Sequence, residues 1–195
     1  MGVPVAVKDI IDIEGRITTG GSKVWAGRVS PVTATLVERM LAAGMIVLGK
    51  THTVEFAMGS FGTNRHMGTP WNPWDLETHR GPGGSSSGTA VAVAARMAPW
   101  GIGTDTGGSV RIPAGWNDLV GLKTTPGLVP MKLKSASYRM GAGPTWVHCA
   151  HWRTVVAVGV SLGAAYGTRL ANLYPERVAA RIFPSAGAAA YASWQ

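Results

Sequence analysis

The sequence predicts an α/β protein built on a parallel sheet. Two features carry that expectation: a strand, helix, strand order within about fifty residues of the start, and a later helix of small residues that lies between two glycine-rich turns. Composition is the third. The chain has 195 residues, 46% of them apolar and 14% charged, with a mean hydropathy of +0.13. That is too apolar and too weakly charged for intrinsic disorder, and long enough for one core of ordinary size. Its 27 glycines follow no Gly-X-Y period, so they point to glycine-built loops and not to collagen.

The elements follow in order. Residues 3–7 are a short apolar run ending at Lys8, a buried strand that presents a lysine at its carboxyl end, where parallel sheets often place their chemistry. After a loop over 17–22, Ala34, Val37, Met40 and Leu41 recur at helical spacing until Gly44 stops the helix. Residues 45–48 are the next buried strand. Glycine and proline then punctuate 59–87, with Trp71-Asn72-Pro73-Trp74 as a turn, which predicts a long ordered loop. Over 87–97 the side chains are small, giving a helix thin enough to pack closely on a sheet, and Gly83-Gly84-Ser85-Ser86 leads into it. Residues 100–103 read as a strand and 104–109 as a second glycine turn. Residues 131–150 have no clear period. Order returns as a strand at 154–158, a glycine turn, a helix at 162–173 and a strand at 178–182.

Charge and cysteine usage narrow the function. Residues 1–118 carry 10 basic and 9 acidic side chains, whereas 119–195 carry 8 basic ones and only Glu176. The basic residues of the tail are scattered and accompanied by no aromatic-rich binding motif, so neither nucleic acid nor a membrane surface is expected as a partner. A lone cysteine, Cys149, forbids an internal disulfide framework and suits a reducing compartment. Lys8 and Asp9 interrupt the apolar start before a signal core could form, and the apolar stretch 154–168 is short for a bilayer span. The expected setting is the cytoplasm.

Several motifs bear on chemistry. The segment 44–51 matches the phosphate-loop pattern, but Met45-Ile46-Val47-Leu48 is a strand core and cannot curl around a phosphate. His148-Cys149-Ala150-His151 lacks a further ligand and a rigid frame, and His52, His66 and His79 show no ligand spacing, so no metal and no cofactor are expected. The serine clusters differ. Gly83-Gly84-Ser85-Ser86-Ser87-Gly88 and Gly107-Gly108-Ser109 are two glycine-flanked serine turns joined to apolar structure, and glycine lets backbone amides converge into an oxyanion hole. No histidine accompanies either serine, which makes Lys8 the candidate base. Its pKa must fall by roughly three units, a cost of about 4 kcal/mol, before it is useful at neutral pH, and an apolar strand end can supply that.

Three blocks, Gly2-Val3-Pro4-Val5-Ala6-Val7-Lys8-Asp9, Pro82-Gly83-Gly84-Ser85-Ser86 and the run 103–114 around Thr106-Gly107-Gly108-Ser109, resemble the amidase signature family in sequence and in order. Gly121-Leu122-Lys123-Thr124 continues the pattern, and the resemblance covers about residues 2–130. It implies a layered α/β/α mixed sheet, expected to be incomplete because the family is much longer. It also implies that Ser109 is the nucleophile, Ser85 a relay serine behind a cis peptide, and Lys8 the base. The amides of Thr106, Gly107, Gly108 and Ser109 would form the oxyanion hole, with Ser86, Asp105 and Arg111 in support. Three positions depart from the family pattern: Ser87 and Asp118 replace common glycines, and Leu128 a common arginine.

The tail does not continue that pattern. Residues 155–163, with Gly159-Val160-Ser161-Leu162-Gly163, and the run 173–178 resemble the nucleophile elbow of an α/β-hydrolase, which makes Ser161 a second candidate nucleophile. No Asp, Glu or His follows Glu176, so Ser161 lacks the acid and histidine that should come after it. The expected organisation is therefore an amidase core over 1–130, a poorly patterned segment over 131–152, and a strand–helix–strand tail over 153–195. The expected activity is hydrolysis of a small-molecule carboxylic amide through an acyl-enzyme. The alternatives are an inactive amidase-like fragment or fusion, an interaction module using the basic tail, an esterase acting through Ser161, and the glutaminase component of a transfer-RNA amidotransferase, whose signature blocks are similar. A second copy of the chain is a candidate partner.

Overall fold

The computed structural model describes residues 2–124 and 128–129, and the backbone of 155–159. The strands β1 (Pro4–Lys8), β2 (Ile46–Thr51), β3 (Trp100–Thr104), β4 (Val120–Gly121) and β5 (Val155–Gly159) form one sheet in the order β2-β1-β3-β5-β4. Three helices accompany it: α1 (Thr35–Ala42), α2 (Ser87–Ala94) and α3 (Arg111–Trp116). β1 runs parallel to both β2 and β3, while β5 is antiparallel to β3 and β4, so the sheet is mixed.

β1 is an inner strand, paired with β2 on one side and β3 on the other, and Ala6 to Lys8 are buried along it. Val5 and Val7 turn to one face, into a cluster with Ile10, Ile11, Ala34, Val37, Met40 and Ile102 that includes the inner side of α1. The alternation of a strand sends Lys8 to the opposite face, where it is fully buried. A second cluster, Ala90, Val93, Val110, Ala114 and Leu119, joins α2 to α3. α2 can lie close to the sheet because β3 offers glycines: a Cβ at Gly103 would sit 2.6 Å from Ser86 Oγ and 2.7 Å from a Val110 methyl carbon. The small residues of the helix and the bare backbone of the strand are two halves of one contact.

The strand expected at 45–48 is found at 46–51, and α1 ends before it in a Schellman turn in which Met45 N–H donates to Met40 O and Gly44 N–H to Leu41 O, with Gly44 at φ +77°. Leu41 is the exception on that helix. It is 48% exposed, one residue off the stripe formed by Ala34, Val37 and Met40. α2 stops at Ala94 and not at 97, again in a Schellman turn, with Met97 N–H donating to Ala92 O and Arg96 N–H to Val93 O. α3 and β4 were not among the expected elements. Pro113 is tolerated because it occupies the first turn, where its missing N–H has no intrahelical partner to lose.

Two of these helix exits carry a side chain in the left-handed region, Arg96 at φ +61° and Asp118 at φ +54°. That conformation costs an L-residue about 1–2 kcal/mol, more for arginine than for aspartate, and glycine's extra chain entropy offsets roughly half. Arg96→Gly and Asp118→Gly are each expected to stabilise the fold by about 0.5–1 kcal/mol, Arg96→Gly by more, read as higher urea midpoints. A lowered midpoint in both would contradict the backbone placement.

In the tail, β5 covers most of the strand expected at 154–158, inserted between β3 and β4. Ser161, the helix and strand expected at 162–173 and 178–182, and His148, Cys149 and His151 lie outside the described residues. Among the described residues no group of three or more His, Cys, Asp or Glu side chains could hold a metal ion, and no helix is long and apolar enough to cross a membrane.

Candidate active site

Lys8 arrives at the carboxyl end of the inner strand β1 with its side chain directed toward the Gly83-Gly84-Ser85-Ser86 turn that feeds α2. There its Nζ donates to Ser85 Oγ at 2.7 Å and to Thr104 Oγ1 at 2.8 Å. All three groups are buried, Lys8 and Ser85 completely. Burial in this apolar setting pushes the Lys8 ammonium down from 10.5 to about 7, against an opposing pull from the Asp105 carboxylate. Thr104, the last residue of β3, was not anticipated. Its signal was available only in the pairing of β1 with β3, which places Val7 opposite Ile102 and brings Thr104 alongside Lys8.

The peptide bond between Gly84 and Ser85 is cis. Ser85 O accepts from Val54 N–H at 3.1 Å and from Thr53 Oγ1 at 3.0 Å, which fixes the turn to the segment after β2. Ser86 joins the two serine turns: its N–H donates to Ser109 O at 3.1 Å, and Thr104 N–H donates to its Oγ at 3.3 Å. Ser109 follows β3 and precedes α3, half-buried, between Gly108 and buried Val110. Its hydroxyl makes no hydrogen bond among the described residues, and hydrogen bonds of reacting groups often form or tighten only when substrate is bound.

Asp105 holds the Ser109 turn from inside. Its Oδ1 accepts from Gly108 N–H at 2.8 Å and Arg111 Nη2 at 3.1 Å, and its Oδ2 from Val110 N–H at 3.2 Å, Arg111 N–H at 3.3 Å and Arg111 Nε at 3.0 Å. Burial pushes this carboxyl up, but the Arg111 hydrogen bonds and charge, with the Gly108 and Val110 amides, outweigh it and hold the group below the usual carboxylate range. The Gly108 amide is thus donated to Asp105, while the amides of Thr106, Gly107 and Ser109 have no partner among the described residues.

A family model described as Amidase matches residues 1–140. The chain belongs to the amidase family. Among its curated relatives, a subunit of the glutamyl-tRNA(Gln) amidotransferase of Symbiobacterium thermophilum is 56% identical over 128 residues, which is 66% of this chain and 26% of the relative. The solved structure of the corresponding glutamyl-tRNA(Gln) amidotransferase subunit of Thermotoga maritima is 50% identical with a TM-score of 0.61, over 66% of this chain and 28% of that one. The allophanate hydrolase of Kluyveromyces lactis is 34% identical with a TM-score of 0.68, over 82% of this chain and 24% of that one. The chain thus spans about a quarter of the length of these amidase relatives, and the α/β fold with its mixed sheet is the one they share.

Proposed function

We propose that this chain carries the reaction centre of an amide hydrolase in which Ser109 attacks the carbonyl, Ser85 relays the proton and Lys8 receives it. The observation that supports this most directly is the buried contact of Lys8 Nζ with Ser85 Oγ at 2.7 Å, made by a lysine whose pKa is about 7. A neutral amine has one lone pair and two N–H bonds. With one N–H directed to Thr104 Oγ1, the lone pair is left to take the Ser85 hydroxyl proton, so Thr104 sets which way the base faces.

In the reaction, Ser109 Oγ forms a bond to the carbonyl carbon as its proton passes to Ser85 and the Ser85 proton passes to Lys8. The carbonyl oxygen takes up negative charge against the amides of Thr106, Gly107 and Ser109, with Gly108 and Asp105 holding that turn in shape. The proton then returns by the same route to the leaving nitrogen, the C–N bond breaks, and water releases the acid from the Ser109 ester. Among the alternatives, the glutaminase component of a transfer-RNA amidotransferase is the one favoured by the names of the relatives that share half their residues with this chain over the matched stretch. The single cysteine is the reason for setting the reaction in a reducing cytoplasm.

A fluorophosphonate probe tests the assignment. The purified chain should gain one phosphonyl adduct on Ser109, located by mass spectrometry of its peptides, and Ser109→Ala should abolish it. Adduct formation that survives Ser109→Ala and disappears in Ser161→Ala would transfer the reaction to the esterase reading. Ammonia release from glutamine, measured in parallel, separates a glutaminase from an amidase of other substrates.

A further inference from the structure

The two serine turns are joined directly by one backbone bond, Ser86 N–H to Ser109 O at 3.1 Å, which leaves the distance between the Ser85 and Ser109 hydroxyls to be set by a second tie. Asn117 supplies that tie. It is fully buried just past the end of α3, and its Nδ2 donates to Pro82 O and to Pro113 O, each at 2.7 Å. Pro82 begins the turn that carries Ser85. Pro113 lies in the helix that continues from Ser109, whose first backbone bond is from Ile112 N–H to Gly108 O. One amide group therefore ties the Ser85 turn to the helix that follows Ser109.

The neighbouring backbone leaves little slack. Gly83, at φ +70°, passes so near α3 that a Cβ there would lie 2.8 Å from Pro113 Cα. From outside, the 59–86 loop folds over the same joint: Trp74 Nε1 donates to Asn117 O at 2.9 Å and Asn72 Nδ2 to Trp116 O at 2.8 Å. Asn117 Oδ1 is buried with no hydrogen-bond partner among the described residues. A stranded buried carbonyl is unfavourable by itself, so the stabilising part of this side chain is its two donated bonds: the one to Pro113 O anchors it to its own helix, and the one to Pro82 O crosses the joint.

We propose that Asn117 is a positioning residue that sets the spacing between Ser85 and Ser109, with Trp74 holding it from the surface. This rests on the proton relay proposed above. Reacting groups displaced by about an ångström lose on the order of a hundredfold in rate, whereas Lys8 is held by its own burial at the end of β1 and by its bond to Thr104 of β3, so the base itself should be undisturbed.

The test compares the full chain with Asn117→Leu, which keeps the branched shape of the side chain, removes the stranded oxygen and deletes both donors. The rate constant for fluorophosphonate labelling is measured from about pH 5 to 9.5, a range that brackets the Lys8 titration, alongside the melting temperature. The expected result is a plateau rate at least roughly tenfold lower, an inflection that stays near pH 7, and a fully folded protein at the assay temperature. A purely structural role would lower the melting temperature and leave the labelling rate of the folded protein unchanged, which overturns the proposal, as does a displaced inflection. Should Asn117→Leu fail to fold, Trp74→Phe replaces it: slower labelling with an unmoved inflection supports the clamp, and unchanged labelling refutes it. If the parent chain itself does not react, the amidase reading fails and the clamp with it. A reactive parent with an equally reactive Asn117→Leu removes the clamp alone.

Discussion

Lys8→Met is expected to reduce the rate of Ser109 acylation by about 10²–10⁴-fold, the usual contribution of a positioned general base, and to flatten its dependence on pH. In the parent the neutral amine is the working form. With a pKa of about 7, the rate should climb through about pH 6 and 7 and level off above roughly 8. The same replacement has an opposite effect on stability. The folded chain gives up the Lys8 proton near pH 7 and the unfolded chain only near about 10.4, so between those values the unfolded state binds more protons and native stability rises with pH. Below pH 7 the buried ammonium is present at its full cost, on the order of 4 kcal/mol. Methionine has no charge to bury, so Lys8→Met should gain melting temperature relative to the parent most clearly at about pH 6 and progressively less toward about pH 10. A variant that labels at the parental rate, or a parent whose labelling shows no inflection between about pH 6 and 8, would remove Lys8 from the role of base.

Gly88→Ala is expected to destabilise the fold although alanine is the better helix former. Gly88 lies in the first turn of α2, immediately after the serine motif, and its N–H donates to His52 O at 3.0 Å. A Cβ there would fall inside the contact distance of the His52 backbone nitrogen, and would lie 2.8 Å from His52 Cα. These are main-chain atoms with no rotamer through which to yield. Helix propensity gives back up to about 1 kcal/mol, while overpacking against an unyielding neighbour costs about 3 kcal/mol or more. The net loss should be about 2 kcal/mol, seen as a melting temperature lower by about 4–8 °C. Because the helix start carries Ser85 and Ser86, labelling of Ser109 should fall as well. An unchanged or higher melting temperature would mean that α2 does not approach the segment after β2 as closely as described.

The elements that could be read from the sequence were those whose signal is local. Val5 and Val7 beside Lys8, the stripe Ala34, Val37, Met40, and the small residues from Thr89 to Ala94 each announce an element through neighbours a few positions away. Leu41 shows the limit of that signal. A stripe assigns a residue to a helix, but which edge of the stripe meets the core depends on where the helix is laid, and α1 is laid so that Leu41 faces out.

The family blocks likewise named Lys8, Ser85 and Ser109 without any coordinates, because motif order is a property of the chain. What no motif states is contact. The proximity of Thr104 to Lys8 comes from the register of β1 against β3, the link from Asn117 to Pro82 from the docking of a loop on α3, and the insertion of β5 between β3 and β4 from the pairing of strands distant in sequence. The loss of the Gly108 amide to Asp105 is a choice between two acceptors, carboxylate or substrate, that only the folded turn makes. By itself the sequence determined which groups are present and that the segments forming β1, α1, β2, α2 and β3 are strand or helix, since those depend on residue type and short-range period, whereas α3 and β4 escaped it. The tertiary structure alone decided which hydroxyls the lysine touches, how far its charge is removed from water and which amides of the Ser109 turn are taken up by Asp105, because burial and hydrogen-bond geometry are set by chain segments that meet only on folding.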